Sequence, residues 1–125
     1  MNETAQRVGR VECAKISEIL GRIGDKWTVL IVMELRTNKL RFNEIKRAVE
    51  GISQQMLTRT LRALERDGMV KRTVYPTVPV QVEYELTPLG HSLSQPVMQI
   101  GNWARANIPE IERHRQKHDV KMNRA

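Results

Sequence analysis

GISQQMLTRTLRALERDGMV, residues 51–70, carries a helix start and a helix stop within twenty positions. Ser53 is placed to cap the N-terminus, and Gly68 can end the helix in a left-handed conformation that side chains disfavour. At 100° per residue Leu57, Leu61 and Leu64 share one side, while Gln55, Thr58, Arg59, Arg62 and Arg66 share the opposite one. One face anchors the helix and the other presents hydrogen-bond donors and positive charge.

Upstream, three more helices are expected. Ile16, Ile19, Leu20 and Ile23 recur at helical spacing from Cys13 on. After Gly24-Asp25 the residues Trp27 to Leu35 are nearly continuously apolar. Asp25 is a plausible N-cap, Asn38 a stop, and the Met, Glu and Leu content favours a buried central helix over a strand. Phe42, Ile45 and Val49 mark a third helix, ended by Gly51, that a short turn joins to the fourth.

Downstream the period becomes two. Val70, Arg72 and Val74 alternate with Lys71 and Thr73, and Val80, Val82, Tyr84 and Leu86 alternate with Gln81, Glu83 and Glu85. A β-hairpin with a tip bounded by Pro76 and Pro79 follows. Thr87-Pro88 then reads as N-cap plus first helical residue of a long last helix, marked by Leu89, Leu93, Val97, Ile100 and Ala104, with a kink expected at Pro96. The fold class is therefore α+β, mainly helical: one domain over 1–125, with a core at 13–107 and mobile tails at 1–10 and 113–125.

The chain carries 21 Lys and Arg against 14 Asp and Glu, a formal +7. Residues 36–72 hold ten basic against four acidic side chains, whereas residues 73–104 hold no Lys or Arg and two acidic ones. The excess is concentrated around the two middle helices, which points to an acidic partner there. No apolar run approaches the roughly 20 residues of a membrane span, the polar start lacks the apolar stretch of a signal peptide, and one cysteine makes no internal disulfide. A cytoplasmic protein without a membrane partner is expected.

Helices joined by a short turn and followed by a hairpin are the order of a winged helix-turn-helix. A helix about 10–12 Å across fits a DNA major groove about 12 Å wide, where Gln and Arg read base edges and Arg and Lys neutralise phosphates. The competing reading of the polar face is an ordinary solvated surface. Ser53, Gln54, Gln55, Thr58 and Arg59 are the candidates for bases or phosphates, with Arg62 on the backbone. Arg41 at the entrance to the third helix, Lys46, and Lys71, Arg72 and Tyr75 of the hairpin are candidate phosphate contacts. The apolar side of the hairpin could also simply complete the core, and its tip, Tyr75 to Pro79, has no Lys or Arg.

The stretch GDKWTVLIVMEL followed by LRFNEIKRAVEGISQQMLTRTLRALERDGMVKRTVYPTVPVQVEYELTPLGHSL resembles the HxlR-type transcriptional regulators, relatives of the MarR group, over roughly residues 13–104. The resemblance implies homodimeric winged-helix proteins that bind roughly palindromic operators on double-stranded DNA, usually as repressors and sometimes as activators. It also implies a dimer built by the terminal helices, here through Ile16, Leu93, Val97, Ile100 and Trp103, although these residues could equally close the protomer's own core. Members of the family often carry an oxidant- or electrophile-sensing cysteine near the start of the first helix, and Cys13 matches that placement. Lys15 and Arg10 would favour its thiolate and Glu12 oppose it; inert packing is the alternative.

His114 and His118 are four apart, but no Cys or acidic residue at sensible spacing joins them, so no metal is expected, and His91 stands alone. No phosphate-cradling glycine loop, nucleophile elbow or paired catalytic carboxylates are present, so neither enzymatic activity nor a cofactor is expected. A small effector seated between dimer helices and DNA-binding lobe is compatible with a regulator. The rival to DNA binding is a winged-helix protein–protein adaptor.

Overall fold

The computed structural model describes the backbone of residues 3–124 and the side chains of residues 10–124. The elements are α1 (Glu3–Ile23), α2 (Lys26–Leu35), β1 (Leu40–Arg41), α3 (Phe42–Ala48), α4 (Gln54–Arg66), β2 (Val70–Tyr75), β3 (Gln81–Leu86) and α5 (Pro88–Arg124). The sheet is antiparallel in the order β1-β3-β2, with Val70 opposite Leu86 and Arg72 opposite Tyr84. Helix-turn-helix α3–α4 with the β2–β3 hairpin beside it is a winged helix.

Local chemistry sets the element ends. Asp25 Oδ1 accepts from the Trp27 amide at 2.8 Å, and Ser53 Oγ from the Met56 amide at 3.1 Å. Gly51 and Gly68 both sit at positive φ (88° and 76°), where an L side chain would be strained. Thr87 Oγ1 accepts from the Gly90 amide at 3.1 Å and donates to the Gly68 carbonyl at 2.6 Å, tying the start of α5 to the end of α4.

The core gathers Ile31, Val32 and Leu35 of α2, Ile45 of α3, Leu57, Leu61 and Leu64 of α4, and Val70, Tyr84 and Leu86 of the sheet. Each buried leucine stabilises the fold by about 1.5–3 kcal/mol, so the leucine side of α4 is firmly seated. That seating leaves the opposite side of α4 to solvent.

Within the described residues the segments expected as tails are helical: α1 reaches back to Glu3 and α5 on to Arg124, and residues 1, 2 and 125 lie outside the described residues. Runs rich in Glu, Arg, Gln, Lys and Met have good helix propensity without an apolar stripe to announce it. Cys13 therefore lies well inside α1 rather than at its N-terminus. Strand β1 was not expected; two residues, Leu40 and Arg41, pair with Tyr84 and Glu83. Helix α2 ends at Leu35 with Arg36 as C-cap, ahead of Asn38. Helix α5 passes through Pro96 and Pro109 as one element.

Candidate nucleic-acid interface

Along α4 the burial splits as the periodicity predicts. Leu57, Thr60, Leu61 and Leu64 are buried, whereas Gln54, Gln55, Arg59, Arg62 and Arg66 are exposed and Thr58 is half-buried. Gln54, Gln55, Thr58, Arg59 and Arg62 line one shallow recess of about 540 Å³. Ser53, exposed, spends its hydroxyl on the Met56 amide. The structure thus brings six sequence-selected residues to the capped end and outer face of one rigid helix.

Thr58 and Arg62 also border a second recess of about 310 Å³, shared with Phe42, Glu65, Arg72 and Tyr84. Arg72 is the hairpin residue that joins the α4 face, a placement set by its register opposite Tyr84. Successive strand residues point to opposite faces, so Lys71 and Tyr75 lie on the other side of the sheet. There Lys71 stands opposite Glu85, and the Tyr75 hydroxyl donates to Glu83 Oε2 at 3.3 Å. Two carboxylates on that face make it a poorer surface for phosphate than the Arg72 side.

Arg41 is the N-cap of α3, its amide donating to Glu44 Oε1 at 2.9 Å, and its side chain is exposed, as is that of Lys46. Among the described residues, no carboxylate lies within 4.0 Å of the charged groups of Arg41, Lys46, Arg59, Arg62, Lys71 or Arg72. These cations remain available for an external anion.

The residues expected at a dimer seam divide into two groups. Val97 is only 5% exposed and Leu93 packs partly buried against the core, so these two serve the protomer's own interior. Ile16, Ile100 and Trp103 are 52%, 62% and 61% exposed. Ile19, Leu20 and Ile108, not selected from sequence for this role, are exposed too, and the periodic stripe of α1 was the signal that could have found the first two. The Cys13 thiol is exposed and free. Arg22 Nε of α1 lies 3.2 Å from Asp67 Oδ2, the C-cap of α4, and a recess of about 590 Å³ beside this pair is lined by Lys15, Ile19, Met69, Leu89 and Leu93 among others. His114 and His118 are exposed on α5, the former 3.8 Å from Glu110 and the latter 3.7 Å from Asp119; no group of three metal-ligating side chains occurs among the described residues. No described helix is long and apolar enough to cross a membrane.

Residues 22–112 match the family model described as HxlR-like helix-turn-helix. The uncharacterized HTH-type transcriptional regulator YybR of Bacillus subtilis is 38% identical over 121 residues, 97% of each chain. The uncharacterized HTH-type transcriptional regulator YtfH of Escherichia coli K12 is 43% identical over 94 residues, 75% of each chain. Among solved structures, the redox regulator HypR in its reduced form superposes with a TM-score of 0.73 at 41% identity, over 78% of this chain and 97% of that one. The match runs through the helix-turn-helix and the wing alike, and the chain belongs to the HxlR-like helix-turn-helix family, as a DNA-binding transcriptional regulator and not an enzyme.

Proposed function

We propose that the protein works in the cytoplasm as a homodimeric repressor that grips a roughly palindromic operator with two copies of α4. The observation that carries this reading is the division of α4 into a buried leucine side and an exposed Gln/Thr/Arg side held by its Ser53 cap. Ser53, Gln54, Gln55, Thr58 and Arg59 meet base edges or phosphates, and Arg62 meets the backbone. Arg41, Lys46 and Arg72 add phosphate contacts; Lys71 and Tyr75 contribute less, because Glu83 and Glu85 share their face. Ile16, Ile100 and Trp103 form the exposed part of the dimer seam, with Leu93 and Val97 beneath it.

Regulation acts through Cys13 or a small effector. The exposed thiol on α1, near the proposed seam, supports oxidation between protomers: two thiols lose two electrons and two protons to an oxidant and form one disulfide. The recess between α1, α5 and the Asp67–Met69 corner supports an effector site linking the dimer helices to α4.

An anisotropy titration against operator-length duplexes, including DNA beside its own gene, at several salt concentrations and with reduced and diamide-treated protein, tests this reading. Selective binding with a steep salt slope is the expected result, and an oxidant effect abolished by Cys13→Ser identifies the thiol. Weak, unselective binding in both redox states would overturn it in favour of a protein-binding adaptor.

A further inference from the structure

Beyond residue 112, where the family match ends, α5 continues for another twelve residues to Arg124. Every one of these residues is exposed, so the segment forms a helical arm of about 18 Å. Neither the reading face nor the proposed seam accounts for it.

The arm is not randomly charged. Residues 113–124 contain Arg113, Arg115, Lys117, Lys121 and Arg124 against a single carboxylate, Asp119. Arg113, Lys117, Lys121 and Arg124 recur at i, i+4, i+8 and i+11, which places all four within an arc of about 80°. Among the described residues none of the four has a carboxylate within 4.0 Å. Lys117, Lys121 and Arg124 also border, with Gln116 and Val120, an open recess of about 400 Å³. Arg113, Lys117 and Arg124 lie about 100° or more around the same helix from Ile100, Ala104, Ile108 and Ile111, while Lys121 lies about 60° from Ile100 and in line with Trp103, so pairing through the apolar stripe leaves most of the basic face open.

A row of unpaired cations with a rise of about 6 Å per turn-step suits a regularly charged polyanion. Insertion into a lipid surface needs an apolar face opposite the charges, and Glu112, Arg115, Asp119 and Met122 supply only one apolar side chain there. Docking as a helix in a protein groove needs the same i, i+3, i+4 apolar anchors and meets the same shortage. Duplex DNA needs neither, and it is the polyanion that a regulator of this family already holds at high local concentration.

We propose that Arg113, Lys117, Lys121 and Arg124 form a second, sequence-independent DNA contact, which takes the phosphates of duplex lying outside the operator half-sites. The test compares the wild type with the R113Q/K117Q/K121Q/R124Q variant on an operator-length duplex and on a longer duplex carrying the operator at its centre. Circular dichroism checks that α5 stays helical. Both proteins should bind the short duplex equally, which reports the α4 face by itself. Only the wild type should bind the long duplex more tightly, with a salt slope steeper by up to about 3.6 per protomer, about 0.9 for each of four phosphates. No gain with length in the wild type, an equal gain in the variant, or an equal loss on both duplexes would overturn the proposal.

Discussion

At Gly90 the first turn of α5 passes so close to the residue before β2 that an added Cβ would run into the Met69 carbonyl oxygen and lie 3.0 Å from a Leu86 methyl. The Met69 carbonyl already accepts the Thr87 amide at 3.0 Å, so it cannot yield without loosening the α5 cap. Gly90→Ala should therefore destabilise the protomer by about 1–3 kcal/mol. Gly21→Ala, with nothing within 4 Å of the added carbon, should be neutral or stabilise by up to about 1 kcal/mol through helix propensity. Paired denaturant titrations check both directions. On the exposed side of α4 the expected effects fall on binding instead. Arg59→Ala and Gln55→Ala should each weaken operator binding by about 1–3 kcal/mol and relax base preference, with the unfolding midpoint little changed. A uniform loss across all duplexes would make these residues phosphate anchors rather than readers.

At the scale of elements, the α4 and hairpin assignments were legible because period and punctuation agreed: Ser53 and Gly68 bracket a 3.6-residue stripe, and the change to period two announces β2 and β3. Alternation also carried the information that Lys71 and Arg72 face apart, but which of them joins α4 depends on pairing register, which adjacent residues alone do not state. Strand β1 was illegible because two residues hold no period. The ends of α1 and α5 were illegible because polar helices show propensity without an apolar face. Register now yields a sharp contrast. Arg72→Ala should lower the salt slope by about 0.9 and weaken binding similarly for every duplex, while Lys71→Ala, on the face shared with Glu83 and Glu85, should change it far less. Equal slopes for the two variants would mean that the wing meets the duplex with its other face.

For the proposed dimer the decisive geometry is the distance between two reading helices, about 34 Å for half-sites one duplex turn apart, which a single protomer cannot supply. The apolar stripe of α5 looked uniform in sequence, yet Val97 is nearly fully buried while Ile100 and Trp103, three and six residues on, are more than half exposed. Helix α5 packs against α2 and β3, and no local pattern encodes where the protomer's body ends. The same division separates two kinds of substitution. Trp103→Glu or Ile100→Glu places a charge on an exposed surface, so the chain should fold normally and sediment as a 14.5 kDa monomer. Such a monomer should keep its affinity for an isolated half-site and lose most of it for the full operator, since the second half-site is no longer held at high effective concentration. Val97→Glu buries an unpaired carboxylate and should lower protomer stability whatever the assembly state. If Trp103→Glu instead remains dimeric and binds the operator as the wild type does, the two reading helices are held by another surface and the exposed face of α5 is not the seam.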